Sequence, residues 1–186
     1  MKDVGKKLNL PLFEPSQHGV VPEGAANDEH KKPSIDTARA RLGGRIGETD
    51  VPAIGFAPGV LVTFAADDWS EFGEDAQKVG VVVFTSTTEV HVLLDAVRLR
   101  RVAPSDLRVY EGGEVVPELE KIAGDARLFG LLVEGQPVRY ADDAGSLVDG
   151  KVVEKCRWGA LVLRTDGAVV AVGFRKLWPS PAGASA

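Results

Sequence analysis

The stretch from residue 67 to residue 75 combines carboxylates with aromatic rings. Its candidate contact residues are Asp67, Asp68, Trp69, Glu71 and Phe72. Carboxylates bind the Lys and Arg side chains of a partner through charge-assisted hydrogen bonds, and an aromatic face stacks against the same cations. These residues therefore predict a loop that binds a partner protein with basic residues. The alternative is a solvated hairpin loop whose Trp69 packs back onto the fold.

Basic residues form a second set of candidates, namely Arg98, Arg100, Arg101, Arg175 and Lys176. Arg98 and Arg100 share one face of a predicted strand because side chains alternate along a strand, and Arg101 points to the other face. Such a patch suits the phosphates of nucleic acid or an acidic partner, and Trp158 or Trp178 offers a stacking face near the later pair. The alternatives are charges that protect a strand edge from aggregation, and tryptophans that fill the core.

Groups with catalytic or metal-binding potential lack the neighbours that such chemistry requires. His91 lies inside a predicted strand, and the three histidines do not have the spacing of metal ligands. Cys156 lies between Lys155 and Arg157, which favour a lowered thiol pKa, but no histidine is placed as its base. We expect no catalytic residue, no metal, no cofactor and no enzymatic activity. The alternative is an active site that only the fold assembles, with Asp142-Asp143 as paired carboxylates.

The composition is that of a globular protein, with 44% hydrophobic and 26% charged residues in a chain of 186. A formal net charge of -5 weighs against tight binding of nucleic acid, which needs Lys and Arg to neutralise phosphates. The single cysteine excludes an intramolecular disulfide and favours a reducing compartment. The sequence contains no apolar signal region and no run of about 20 apolar residues. We therefore expect a soluble, cytoplasmic protein without a membrane span.

The N-terminal part of the chain reads as a tail. Residues 1–58 show no sustained hydrophobic period and are predicted to be flexible. Two segments within them, residues 8–13 and 34–42, are candidates to order on a partner. The second segment predicts a short helix that Ser34 or Asp36 caps and that Gly43-Gly44 ends.

From residue 59 onward, Val-rich runs broken by Gly and Asp predict short strands. The first five predicted strands are residues 60–65, 79–84, 89–94, 96–102 and 107–110. The short connections between them require antiparallel neighbours. Residues 117–129 then predict a helix, with Pro117 in the first turn and apolar residues at helical spacing.

The pattern of the first strands returns later in the chain. Gly59, Val62, Phe64, Ala65 and Asp67 are repeated by Gly135, Val138, Tyr140, Ala141 and Asp143. Gly80, Val82, Val83, Val92 and Leu93 are repeated by Gly150, Val152, Val153, Val162 and Leu163 at a shorter offset. The ending 101–105 is matched to residues 176–180 by a shared basic-apolar-any-Pro-Ser pattern. The order of these blocks predicts one architecture used twice, with each copy burying its own alternating strands.

Each copy resembles an SH3-like barrel of the kind found in KOW and Tudor-type modules. The resemblance covers residues 59–110 and 135–179 and rests on the Gly before the first strand, the Gly-x-Val-Val strand, the hairpin and the Pro-containing ending. It implies a mainly β protein, with two five-stranded barrels joined by a short helical linker behind the tail. Tudor-type modules that read methylated residues use several aromatic rings, and the last strands of the first copy supply no ring to match Trp69 and Phe72.

The predicted domains are a tail (1–58), a first barrel (59–110), a helical linker (111–134), a second barrel (135–180) and a short C-terminal tail (181–186). The resemblance implies a binding module, and we expect an adaptor or scaffold that binds partner proteins through barrel loops and tail. One alternative is a KOW-like factor of the transcription or translation machinery that contacts nucleic acid. Another is a structural subunit of a larger assembly. The sequence leaves the partner and the oligomeric state open.

Overall fold

Short antiparallel β-strands are the main regular structure among the described residues after residue 60, as the Val-rich runs predict. The computed structural model describes residues 34–47, 50–65, 78–95 and 97–181. Within them lie two α-helices, α1 (Ile35–Arg41) and α2 (Pro117–Leu131), and ten strands in two five-stranded sheets. All described residues belong to one compact unit, Pro33–Ala186.

The first sheet contains β1 (Leu61–Phe64), β2 (Gly80–Thr85), β3 (Val90–Leu94), β4 (Arg98–Val102) and β5 (Leu107–Val109). Its strand order is β4-β3-β2-β1-β5, with antiparallel neighbours throughout. The predicted strands agree with these bounds to within two residues, because alternation and tight turns are local signals.

The second sheet contains β6 (Pro137–Ala141), β7 (Leu147–Cys156), β8 (Gly159–Arg164), β9 (Val169–Gly173) and β10 (Leu177–Pro179). Its order, β10-β6-β7-β8-β9, reproduces the order of the first sheet strand for strand. The ladders also shift register at matching positions, between Val82 and Phe84 and between Val152 and Glu154. The predicted duplication of one architecture is therefore present in the strand topology.

Two glycines show why the repeat keeps the same residue at one position. A Cβ atom on Gly80 would lie 2.3 Å from Val92 Cγ1, and one on Gly150 would lie 2.5 Å from Val162 Cγ1. Any side chain there would displace the buried valine of the neighbouring strand. Glycine is thus required by close packing in both copies.

The predicted match between the two endings is wrong. The last strands, β5 and β10, begin at Leu107 and Leu177, and each follows a 3-10 turn, Pro104–Asp106 in the first copy and Phe174–Lys176 in the second. Residues 101–105 therefore correspond to residues 171–175 and not to 176–180. The two Pro-Ser pairs are not equivalent, because Pro104-Ser105 lies in the 3-10 turn of the first copy and Pro179-Ser180 lies at the end of the last strand of the second.

Helix α2 extends two residues beyond its predicted end and packs against both sheets. Pro117 occupies its first turn, and its buried face includes Leu119, Ile122, Ala126 and Phe129. These side chains form one hydrophobic cluster with Val81, Val83 and Leu93 of the first sheet and with Val138, Val152, Val162 and Leu177 of the second. The expectation of a separate core in each copy is thus wrong for the second copy. The first sheet has a further core on its other face, around Val62, Val82 and Val92.

Residues 34–58 differ from the predicted flexible tail wherever they are described. The expected helix is present as α1, with Ser34 accepting a hydrogen bond from the Thr37 amide. Arg39 donates two hydrogen bonds to Glu154, at 2.6 and 2.8 Å, and Leu42 is buried against Cys156 and Leu161. Helix α1 and Leu42 are therefore packed on the second sheet, whereas Phe56 packs against the core of the first sheet. Residues 1–33, including segment 8–13, lie outside the described residues.

No helix among the described residues is both long and apolar enough to cross a membrane.

Candidate binding groove

The acidic loop predicted as a contact site lies outside the described residues. Asp67, Asp68, Trp69, Glu71 and Phe72 all fall in the gap between residues 65 and 78. The binding role of this loop stays a prediction.

The structure divides the predicted basic residues between the two sheets. Arg98, Arg100 and Arg101 are exposed on β4, the edge strand of the first sheet. Arg98 donates a hydrogen bond to Asp95, and Lys78 lies 3.2 Å from the same carboxylate, so these cations hold the pKa of Asp95 below its usual value. Part of the positive charge at this edge is therefore neutralised locally.

Arg175 and Lys176 lie in the 3-10 turn between β9 and β10 of the second sheet. An Arg175 Nη2 atom lies 3.5 Å from Glu118 Oε1, and Lys176 Nζ lies 3.8 Å from Asp143 Oδ1. Both cations line a groove. This pair is therefore better placed to contact a bound partner than the three arginines of β4.

The groove runs between β9 and the end of β6 and has a volume of about 520 Å³. Its apolar lining comes from Tyr140, Ala141, Trp158, Val170, Val172 and Phe174, and its charged lining from Asp142, Asp143, Arg164, Arg175 and Lys176. Strands β6 and β9 are separated by two strands in the sheet order, yet both line this groove. The groove therefore brings together residues of two strands that are not neighbours in the sheet.

The rim of the groove carries exchangeable charges. Arg164 lies 3.1 Å from Asp166, and an exposed carboxylate also lies near each of the other two rim cations, Glu118 near Arg175 and Asp143 near Lys176. Exposed pairs of this kind contribute little free energy, since water competes for both charges. A carboxylate of a bound partner can therefore take the place of these exposed carboxylates at a small cost in free energy.

Tyr140 forms a buried part of the groove wall. Its side chain is 3% exposed, and its hydroxyl has no hydrogen-bond partner among the described residues. Burial raises the pKa of this phenol, so the hydroxyl remains a neutral donor. Sequence reasoning did not select Tyr140 or Arg164, although alternation in the segment PVRYA places Tyr140 on the buried face with Val138.

A second polar cluster joins the two copies next to the groove. The indole Nε1 of Trp158 donates a 2.9 Å hydrogen bond to Nδ1 of the fully buried His91. Arg157 lies over the Phe84 ring, 5.1 Å from its centre, and its Nη2 is 3.5 Å from both carboxylate oxygens of Asp50. These contacts hold Trp158, and with it one wall of the groove, against the first sheet.

Cys156 is buried and unreactive in character. Burial raises its pKa to about 11, and the nearby Glu154 carboxylate acts in the same direction. The lowered pKa that its basic sequence neighbours favour does not arise. Lys155 instead donates hydrogen bonds to the carbonyls of Gly130 and Leu132 at the end of α2, at 2.7 and 2.9 Å.

A scan against protein-family models finds no match for this chain, and a search of curated protein sequences finds none either.

Proposed function

We propose that this protein is a non-catalytic adaptor that binds partner proteins, with the groove of the second sheet as a contact site. One observation carries the proposal: a preformed, mostly apolar groove has three cations on its rim, Arg164, Arg175 and Lys176, and each lies close to an exposed carboxylate. A volume of about 520 Å³ is within the range of ligand-binding pockets in proteins.

We further propose that each five-stranded sheet is an SH3-like barrel of the KOW and Tudor class. Two observations support this reading: the two sheets share one strand order, and residues of the non-neighbouring strands β6 and β9 line the same groove. Such modules generally bind peptides, modified side chains or nucleic acid through loops and one barrel face. A binding role therefore agrees with the fold class that the sequence suggests.

The adaptor role requires more than one contact region. We assign the second to the acidic loop, where Asp67, Asp68 and Trp69 lie, and the third to segment 8–13, both outside the described residues. Regions linked in one chain bind with higher avidity than each alone, provided that both can engage together.

A retention experiment with the full chain tests the proposal. Wild-type protein, the double variant Arg175→Glu/Lys176→Glu and the control Lys151→Glu are immobilised and exposed to lysate of the native host. Lys151 is exposed on β7 and lines neither wall of the groove. We expect at least one partner that wild type and control retain and that the double variant loses. Equal retention by all three proteins would contradict a binding role for the groove.

A second candidate function is nucleic-acid binding, favoured by the three arginines on the exposed edge of β4. Binding through phosphates falls steeply with salt concentration. The test is a titration of single- and double-stranded nucleic acid across salt concentrations with wild type and with Arg98→Ala/Arg100→Ala. A steep salt slope that the double variant flattens supports this function, and no binding at low salt eliminates it.

A further inference from the structure

The outer edge of β9 presents backbone groups that β8 does not use. Antiparallel strands bond through alternate residues. Two hydrogen bonds show which residues along β9 bond to β8: Phe174 N–H to Trp158 O at 3.0 Å and Arg164 N–H to Ala168 O at 2.8 Å. The residues that face β8 are therefore Ala168, Val170, Val172 and Phe174. Those between them, Val169, Ala171 and Gly173, direct N–H and C=O away from the sheet.

These three residues are exposed although α1 lies close to β9, and within the described part of the chain no backbone hydrogen bond reaches them from outside the sheet. Strand β9 is the last strand in the order of the second sheet. An edge of this kind is a template for a further strand.

The first copy protects the equivalent edge and the second copy does not. Arg101 pairs with His91 at the ladder position where Ala171 pairs with Leu161. Strand β4 reads RLRRV, whereas the corresponding residues 168–172 read AVVAV and contain neither charge nor proline. Charged side chains on an edge strand oppose pairing with another chain. Since the two sheets share one topology, the edges of β4 and β9 differ in their side chains and not in their place in the fold.

The groove lies along this same edge. Four consecutive residues of β9, 170–173, line it, and the opposite wall comes from the end of β6 and the turn that follows. A strand added to β9 would occupy the gap between these walls. Its alternate side chains would enter the apolar part beside Trp158 and Phe174, and its end would reach the cations Arg164 and Lys176.

We propose that β9 binds an extended segment of a partner protein as an additional strand of the second sheet. The segment carries apolar residues at alternate positions and an acidic residue that pairs with the cationic rim. This inference rests on the proposed adaptor function and specifies its binding mode, in which main-chain hydrogen bonds supply affinity and the groove supplies selectivity.

The probe is a phage-displayed library of random dodecapeptides, selected against the full-length protein. We expect selected peptides to share alternating apolar residues with an Asp or Glu. Each selected peptide is then synthesised in two forms, with N-methyl groups either on the odd-numbered or on the even-numbered amides. One form should bind weakly and the other normally, because only alternate amides of an added strand face β9.

Matched variants of Ala171 test the edge itself. Ala171→Arg installs the residue that the first copy has at this position, and Ala171→Pro removes an outward N–H without affecting a bond to β8. Each should weaken peptide binding at least about tenfold. Ala171→Ser keeps the N–H and should bind as wild type does. Thermal melting of Ala171→Arg and Ala171→Ser should coincide, which excludes misfolding as the cause.

The outcomes separate this inference from the adaptor proposal. If Ala171→Arg binds the peptides normally while Arg175→Glu/Lys176→Glu loses them, the groove binds without strand pairing and only the inference fails. If no peptide is selected and the groove variants retain every lysate partner, both fail. If sedimentation shows a dimer that Ala171→Arg abolishes, the edge pairs with a second copy of this chain and the inference is overturned.

Discussion

At the scale of single residues, the contact between Trp158 and His91 links the two copies. Nδ1 of His91 accepts the indole hydrogen bond, so its proton resides on Nε2 when the ring is neutral. Nε2 lies 3.0 Å from Glu89 Oε1, but the N–H does not point at that oxygen as a hydrogen bond requires. Burial lowers the pKa of His91 and outweighs Glu89, which raises it; Arg101 and Arg157 add smaller lowering effects. His91 is therefore buried in its neutral form.

This state of His91 predicts a pH-dependent stability. The pKa of His91 in the folded protein lies below its ordinary value of 6.5, so the unfolded chain binds more protons between the two values. The free energy of unfolding should be greatest above pH 6.5 and should decrease as the pH falls from 6.5 through the folded pKa. Denaturant unfolding at a series of pH values measures this change.

The control is His91→Asn, whose side-chain oxygen can still accept from Trp158. The variant should be less stable than wild type at neutral pH. Its free energy of unfolding should decrease less than that of wild type as the pH falls below 6.5, because the titrating imidazole is absent. An identical pH dependence in the two proteins would show that His91 does not titrate on unfolding.

The sequence predicted part of this residue chemistry. The sequence placed His91 inside a strand and left a buried or a solvent-facing side chain open; the structure has it in β3, fully buried. Its bond to Trp158 was not predictable, because residues 67 positions apart meet only when the two sheets pack together. The same limit applies to the groove, whose walls come from strands that are distant in the sheet order.

At the scale of elements, local signals were reliable and long-range packing was not. The capped helix α1 and the strands of the first copy follow from short patterns. Their placement does not: α1 reads as part of a tail because its own sequence does not reveal that Arg39 pairs with Glu154, 115 residues away. The two endings were mismatched for a similar reason, since a five-residue pattern contains no information about sheet register.

Two glycines after α1 provide a matched test of its docking. Gly43 and Gly44 have nearly equal φ angles of 82° and 83°, but only Gly43 faces the Trp158 ring, where a Cβ would lie 2.8 Å from Cδ2. Gly44→Ala should cost about 1 kcal/mol through backbone strain alone. Gly43→Ala adds a steric conflict with the ring and should cost about 2–4 kcal/mol.

Chemical denaturation of both variants checks this difference. A shift in tryptophan fluorescence with Gly43→Ala alone would place the conflict at Trp158. Equal destabilisation of the two variants would mean that α1 does not end against this ring.

At the scale of the whole molecule, the helix joins the two copies into one core. Ile122 is fully buried in the cluster that contains side chains from both sheets. The copies are therefore expected to unfold together, unlike two domains on a linker. The rigid relation between them would present the groove at a fixed orientation to the first sheet.

Ile122→Ala should reveal this coupling. Removing a buried Ile side chain leaves a cavity and costs about 2–5 kcal/mol. Amide exchange in both sheets should accelerate by similar factors, because the cavity destabilises their shared core. As a comparison, Val92→Ala perturbs the separate core of the first sheet. Acceleration confined to one sheet by Ile122→Ala would show that the copies are independent.

The open edge of the second sheet is the claim on which the binding mechanism depends, and residue-resolved amide exchange of the free, full-length protein measures it directly. The account predicts an alternation along β9, with fast exchange at Val169, Ala171 and Gly173 and slow exchange at Val170 and Val172. Uniform protection of all five amides would contradict it, because the edge would then already be paired.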